Sequence, residues 1–255
     1  MFYSTDLEAK LIKDKIDSAI VQNGNVVIFE YYRNKKMKVK LHKINSVTKS
    51  ILSALIGIAI DKKYIENVHV PLKEYFQEFD RDEKYQNITI KNLLTMSSGL
   101  HWPGNSAMIP SKNWVNFVLN QKMKDSTKTQ MVYSCGSSHL LSAILQKTTG
   151  LNASAFAEKH LFTPLGITDY RWNSDAQGIT IGGFGLNLKT MDMLKIGELY
   201  LNKGMWRSKQ ILPLNWIEES THPNIKADHQ YSYAYHWWTT TFDNQMGRTF
   251  FCLWT

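Results

Sequence analysis

Two cysteines, Cys135 and Cys252, are all the sequence contains, so no disulfide framework holds the chain together. No uncharged apolar stretch approaches the roughly 20 residues of a membrane span. The richest apolar run, 51–60, is too short. The first twenty residues carry Asp6, Glu8, Lys10, Lys13, Asp14, Lys15 and Asp17 and so lack the apolar centre of a secretory leader. These absences predict a soluble cytoplasmic protein without membrane insertion. No low-complexity segment and no internal repeat is present, which excludes a disordered chain and a solenoid.

Two catalytic patterns are missing as well. His101, His139, His160, His222, His229 and His236 have no H-E-x-x-H or comparable ligand spacing, so no metal site is expected. No G-x-S-x-G elbow occurs, which argues against a Ser-His-Asp hydrolase of that type. Arginine is scarce: the net charge of +8 arises from 25 Lys and only 5 Arg, scattered along the chain. The one dense basic run, 33–40, lacks the aromatic or Gly-rich accompaniment of an RNA-binding segment. It reads as a solvated hairpin turn, and no nucleic-acid partner is expected.

What is present suffices for a folded protein. With 43% hydrophobic and 20% charged residues over 255 positions, the chain can bury a large core. Leu7, Leu11, Ile12, Ile16, Ala19 and Ile20 recur at helical spacing, predicting an opening amphipathic helix that Gly24 ends. Asn25 to Tyr32 reads as a strand, with Met37 to His42 as its hairpin partner. Ser46 to Asp61 reads as a buried helix, apolar around most of its circumference. Further helices are predicted over 88–97, 114–120, 137–149 and 191–202. A Gly-rich crossing is expected at 178–185 and a strand at 231–241. Small sheet, helical lobe and return to the sheet make an α+β chain.

Ser46-Val47-Thr48-Lys49 has the S-x-x-K spacing, which on a helix brings hydroxyl and amine to one face. A serine hydroxyl is a poor nucleophile until a base takes its proton, and a buried lysine amine near positive potential can serve. Chance alone yields about two such pairs in a chain of this composition; this is the single one present. Its context is unusual, because a first-turn lysine opposes the helix dipole and precedes an almost wholly apolar helix. The bland alternative makes Ser46 an N-cap and Lys49 a snorkelling surface side chain.

Longer blocks favour chemistry. Residues 42–50 followed by 55–61 resemble the active-site helix of the β-lactamase-related serine hydrolases. That group includes class C β-lactamases, penicillin-binding carboxypeptidases, esterases and 6-aminohexanoate-dimer hydrolases. Residues 88–100, 161–167 and 233–238 are similar to three further blocks, in the family's order, so the resemblance runs from about Asn25 to Trp238. It implies the β-lactamase/transpeptidase-like α+β fold, an antiparallel sheet flanked by helices plus a helical lobe. Residues 1–62 and 178–255 would form the sheet lobe and 63–177 the helical one. It further implies a serine hydrolase working on a small acyl substrate, with no cofactor. In that reading Ser46 is the nucleophile, Lys49 its base and Tyr133 the phenol that shuttles a proton.

Two departures accompany the resemblance. Tyr133-Ser134-Cys135 stands where the family has Y-x-N, and a thiol cannot match an amide that both donates and accepts. Cys135, Trp102 and Trp238 are the candidate substrate-binding residues; Trp114, Trp172 and Trp237 could line the same pocket or pack in the core. The family's third element, H-x-G or K-T-G on a strand lining the cleft, is absent before Thr255, so the last sheet strands and closing helix are expected to be missing. Read one nucleotide out of register, one permitted codon choice for 248–255 encodes E-H-F-F-A-Y-G, close to the family's approach to that element. A frameshift near Gly247 is therefore expected, with impaired turnover. A non-catalytic relative that keeps the cleft is the alternative.

Overall fold

The computed structural model describes residues 4–24, 26–76, 86–125, 129–241 and 248–251. Ten α-helices are described: α1 Ser4–Lys13, α2 Lys35–Val39, α3 Val47–Asp61, α4 Ile90–Leu94, α5 Asn105–Met108, α6 Trp114–Leu119, α7 Cys135–Thr149, α8 Ala153–Ala157, α9 Thr190–Leu201 and α10 Leu214–Ser220. Short 3₁₀ and π turns occupy Leu72–Glu74 and Glu158–Phe162.

The strands are β1 Ser18–Asn23, β2 Val26–Tyr32, β3 His42–Lys43, β4 Arg171–Trp172, β5 Leu186–Leu188, β6 Met205–Trp206, β7 Lys209–Gln210, β8 Ile225–Lys226, β9 Ser232–Tyr233, β10 Trp238–Thr241 and β11 Arg248–Phe251. The α+β expectation holds and every ladder is antiparallel. Among the described residues they form four separate sheets: β1-β2, β11-β10-β9-β8, β3-β5-β4 and β6-β7.

The N-terminus corrects the sequence reading. The helix stops at Lys13, Lys15 takes φ 56°, and residues 18–23 pair with 26–32 instead of continuing the helix. Ile16, Ala19 and Ile20 fit a helical period, but β-branched residues on both sides of the Asn23-Gly24 turn favour a hairpin. The expected partner of β2, Met37 to His42, is instead the short helix α2, capped by the Asn34 side chain, followed by β3. The basic run is indeed solvated: Asp17 pairs with Arg33 at 2.7 Å and Lys40 at 2.9 Å, and Glu30 with Lys38 at 3.1 Å. Such exposed pairs contribute little stability.

The strand expected over 231–241 is two short strands joined by a tight turn, in which the Ala234 N–H donates to the Trp237 carbonyl at 2.8 Å. Of the last eight residues, 248–251 form the edge strand β11; Asn25, Gly247 and Cys252 to Thr255 lie outside the described residues.

The core sits where α3 crosses α7. Residues 48–59 of α3 are buried without interruption, because Ile51, Leu52, Leu55, Ile56 and Ile58 cover the whole circumference. Helices α4, α6 and α8 pack around this pair. Helix α7 starts on the Ser134 cap, whose hydroxyl accepts from Ser137 N–H at 3.2 Å, and ends on Gly150 at φ 73°. Both helices therefore present their N-terminal turns to one place.

Candidate active site

Ser46 arrives there through a backbone elbow. Strand β3 pairs with β5, and Ile44 N–H donates to Leu186 O at 3.1 Å, which anchors the chain just before the helix. Asn45 then takes φ 44°, a left-handed conformation that Asn tolerates better than most side chains. Ser46 follows at the N-cap position of α3, yet its side chain makes no capping hydrogen bond. Its hydroxyl is thus not spent on the helix, as the bland reading required.

Lys49 is 1% exposed, so it is no snorkelling surface residue. Its Nζ lies 3.2 Å from Ser46 Oγ, 3.4 Å from Cys135 Sγ and 2.7 Å from the Gly183 carbonyl. It also sits 4.7 Å from the centre of the Tyr133 ring, within cation–π range. Buried ammonium groups need partners, and here hydroxyl, thiol, carbonyl and ring surround it. Four residues from three distant stretches of sequence, 46–49, 133–135 and 183, converge on one nitrogen.

Tyr133 is partly exposed and held from both sides. Val132 N–H donates to Met96 O at 2.8 Å and Ser134 N–H to Met96 Sδ at 3.3 Å. Its ring stacks on Trp238, with centroids 6.0 Å apart, and meets Tyr233 edge-on. Trp238 therefore belongs to the same aromatic wall. Trp102 packs over Gly136, the residue after Cys135, where an added Cβ would fall 2.7 Å from its ring. Trp114, Trp172 and Trp237 are buried in the core.

The residue that sequence reading overlooked is Gly183. The crossing at 178–185 lies directly on the first turns of α7. A Cβ at Gly182 would sit 2.1 Å from Ser138 O, and one at Gly183 would sit 2.8 Å from Cys135 Cβ. Only glycine lets this backbone approach closely enough for its carbonyl to reach Lys49. The adjacent pair Gly182-Gly183 was the available signal.

His139 and Asp175 hold the crossing in place. Asp175 accepts from His139 Nε2 at 3.1 Å and from the N–H groups of Gln177 and Ile179, each at 2.9 Å. Burial pushes the Asp175 carboxyl up, but those hydrogen bonds more than reverse it and leave it below the usual range. His236, just across α7, is driven down to about 3 by burial and by the charge on Lys49. Among the described residues no cluster of three or more His, Cys, Asp or Glu could hold a metal, and no helix is long and apolar enough to cross a membrane.

Residues 11–247 match the family model described as Beta-lactamase. The 6-aminohexanoate-dimer hydrolase of Paenarthrobacter ureafaciens is 21% identical over 264 residues, spanning 92% of this chain and 67% of its own. Among solved structures, the octameric penicillin-binding protein homologue from Pyrococcus abyssi superposes with a TM-score of 0.71 at 19% identity, over 92% of this chain and 64% of that one. The D-alanine carboxypeptidase AmpC from Burkholderia cenocepacia gives 0.71 at 17%, over 94% and 74%. At such identities the structural likeness shows a shared fold.

Proposed function

The chain belongs to the beta-lactamase family, and from that premise we propose that it is a serine hydrolase working through an acyl-serine intermediate on a small ester, amide or β-lactam. Ser46 Oγ attacks the substrate carbonyl while the Lys49 amine takes the hydroxyl proton. Tyr133 delivers a proton to the leaving group as the bond to it breaks, and is resupplied from Lys49. Water then attacks the acyl ester by the reverse proton path and releases the acid. The Ser46 N–H, which makes no hydrogen bond among the described residues, is half of an oxyanion hole.

The observation that carries this reading is the 3.2 Å approach of a buried lysine to a serine hydroxyl that caps nothing. Cys135 tilts the substrate preference. At the place where the family's asparagine would grip an amide, a thiol grips neither end well, so esters are favoured over peptide-like amides. The amide substrate named for the 6-aminohexanoate-dimer relative is accordingly the less favoured class here. The partner is a small acyl compound; no cofactor, nucleic acid or membrane is required.

A fluorescent fluorophosphonate probe tests the reading. Covalent labelling of the parent that vanishes in Ser46→Ala supports it. If neither that probe nor a fluorescent β-lactam labels the parent, the chain is a ligand-binding relative without turnover.

A further inference from the structure

Among the buried groups that the proposed reaction leaves unused, His236 has the most connections to the site's walls. It is 2% exposed and its backbone takes φ 62°. A left-handed conformation is costly for any residue with a Cβ and persists where its surroundings over-determine it. Here they do so from three directions. Ser50, the residue after Lys49, donates its hydroxyl to the His236 carbonyl at 2.7 Å. The His236 backbone N–H and ring Nδ1 each lie 3.0 Å from Leu94 O, at the end of α4. Since a carbonyl only accepts, Nδ1 carries the ring proton. Nε2 is left to accept from Ser138 Oγ at 3.1 Å.

Each of these partners leads to a member of the site. Ser50 adjoins Lys49. Ser138 lies one turn beyond Cys135 on α7. Leu94 lies two residues before Met96, which holds both chain neighbours of Tyr133. A glycine would meet the backbone requirement without strain, so what histidine adds is the ring's two hydrogen bonds.

We propose that His236 is a positioning residue, fixing the spacing between the Ser46–Lys49 pair and the Tyr133–Cys135 pair without touching substrate. The inference rests on the hydrolase reading only for the reaction it serves. The geometry it maintains can be measured separately.

His236→Gly removes the ring and leaves the backbone free to keep its conformation. Two rates are compared with the parent: labelling of Ser46 by a fluorophosphonate probe, and native alkylation of Cys135 by iodoacetamide, mapped by peptide mass spectrometry. Expected are a labelling rate at least tenfold lower, an alkylation rate several-fold higher, and partial reversal of both by added imidazole. Parental rates for both in His236→Gly overturn the proposal. So does a loss that imidazole leaves untouched and that matches the unfolded fraction in a urea titration, because His236 would then serve stability alone. If the parent itself does not label, the hydrolase reading fails, yet Cys135 alkylation still decides: an unchanged rate sinks the positioning role. Should His236→Gly not fold, His236→Asn, which tolerates positive φ and restores one donor, provides the same comparison with a smaller expected change.

Discussion

Lys49 Nζ lies 3.4 Å from Cys135 Sγ, so one amine spans the first turns of α3 and α7. Distances within the site are therefore set by how these two helices cross, and they are open to perturbation from either one.

The thiol is the first place to intervene. Cys135→Asn restores a group that can donate to and accept from an amide. One recovered hydrogen bond of about 1.4 kcal/mol corresponds to about tenfold. The ratio of β-lactam to p-nitrophenyl ester acylation rates is expected to rise by about that factor; an unchanged ratio would remove Cys135 from substrate recognition.

Lys49→Met separates chemistry from folding. The thioether fits a similar volume and takes no charge into the core, so the protein should remain folded by circular dichroism. Loss of a general base typically costs about 10²–10⁴ in rate, and probe labelling at Ser46 should fall by that much. Labelling within twofold of the parent would exclude Lys49 as the base.

His236 gives a pH signature. Its ordinary value of 6.5 is lowered to about 3 in the fold. Between those values the unfolded chain holds the extra proton and the folded one does not, so stability falls as pH drops from 6.5 toward 3. His160, lowered by burial and by the Lys62 and Lys159 charges, adds to the same fall, and the share of His236 is at most about 1.4 kcal/mol per pH unit. The depressed Asp175 carboxyl adds its own loss only at the acid end of the range, as pH falls toward its folded value. Urea midpoints at several pH values should show this slope in the parent and a shallower one in His236→Asn; equal slopes would contradict the assignment.

Two glycines predict opposite outcomes. At Gly197, inside α9, an added Cβ would meet nothing within 4 Å, whereas one at Gly182 would strike the Ser138 carbonyl at 2.1 Å. Gly197→Ala should stabilise by about 0.4–1 kcal/mol, while Gly182→Ala should destabilise by about 1–3 kcal/mol. Urea denaturation of both variants checks the pair.

What the sequence made legible was local. Helix α3 announced itself through an unbroken apolar run, and most of α7 falls within the helix expected over 137–149. The S-x-x-K spacing pointed to a shared helical face, and Lys49 does meet Ser46 there. The N-terminal hairpin escaped because Ile16, Ala19 and Ile20 satisfy a helical period equally well, and only pairing across Asn23-Gly24 decides between the two. Gly183 and His236 escaped for a different reason. Their roles lie in contacts to residues 134 and 142 positions away, respectively, and no spacing within a segment encodes those.

The environment of Lys49 has a stereochemical consequence. An ammonium has three hydrogens, and the hydroxyl, thiol and carbonyl around this one account for all of them. The Gly183 oxygen can only receive, so one N–H must stay on it whatever the protonation state. A neutral amine then has one hydrogen and one lone pair to divide between thiol and hydroxyl; with the hydrogen on sulfur, the lone pair turns to the serine, the orientation a proton acceptor needs. The glycine crossing thus does more than fill space: it turns the unshared electrons away from the backbone and toward the two side chains.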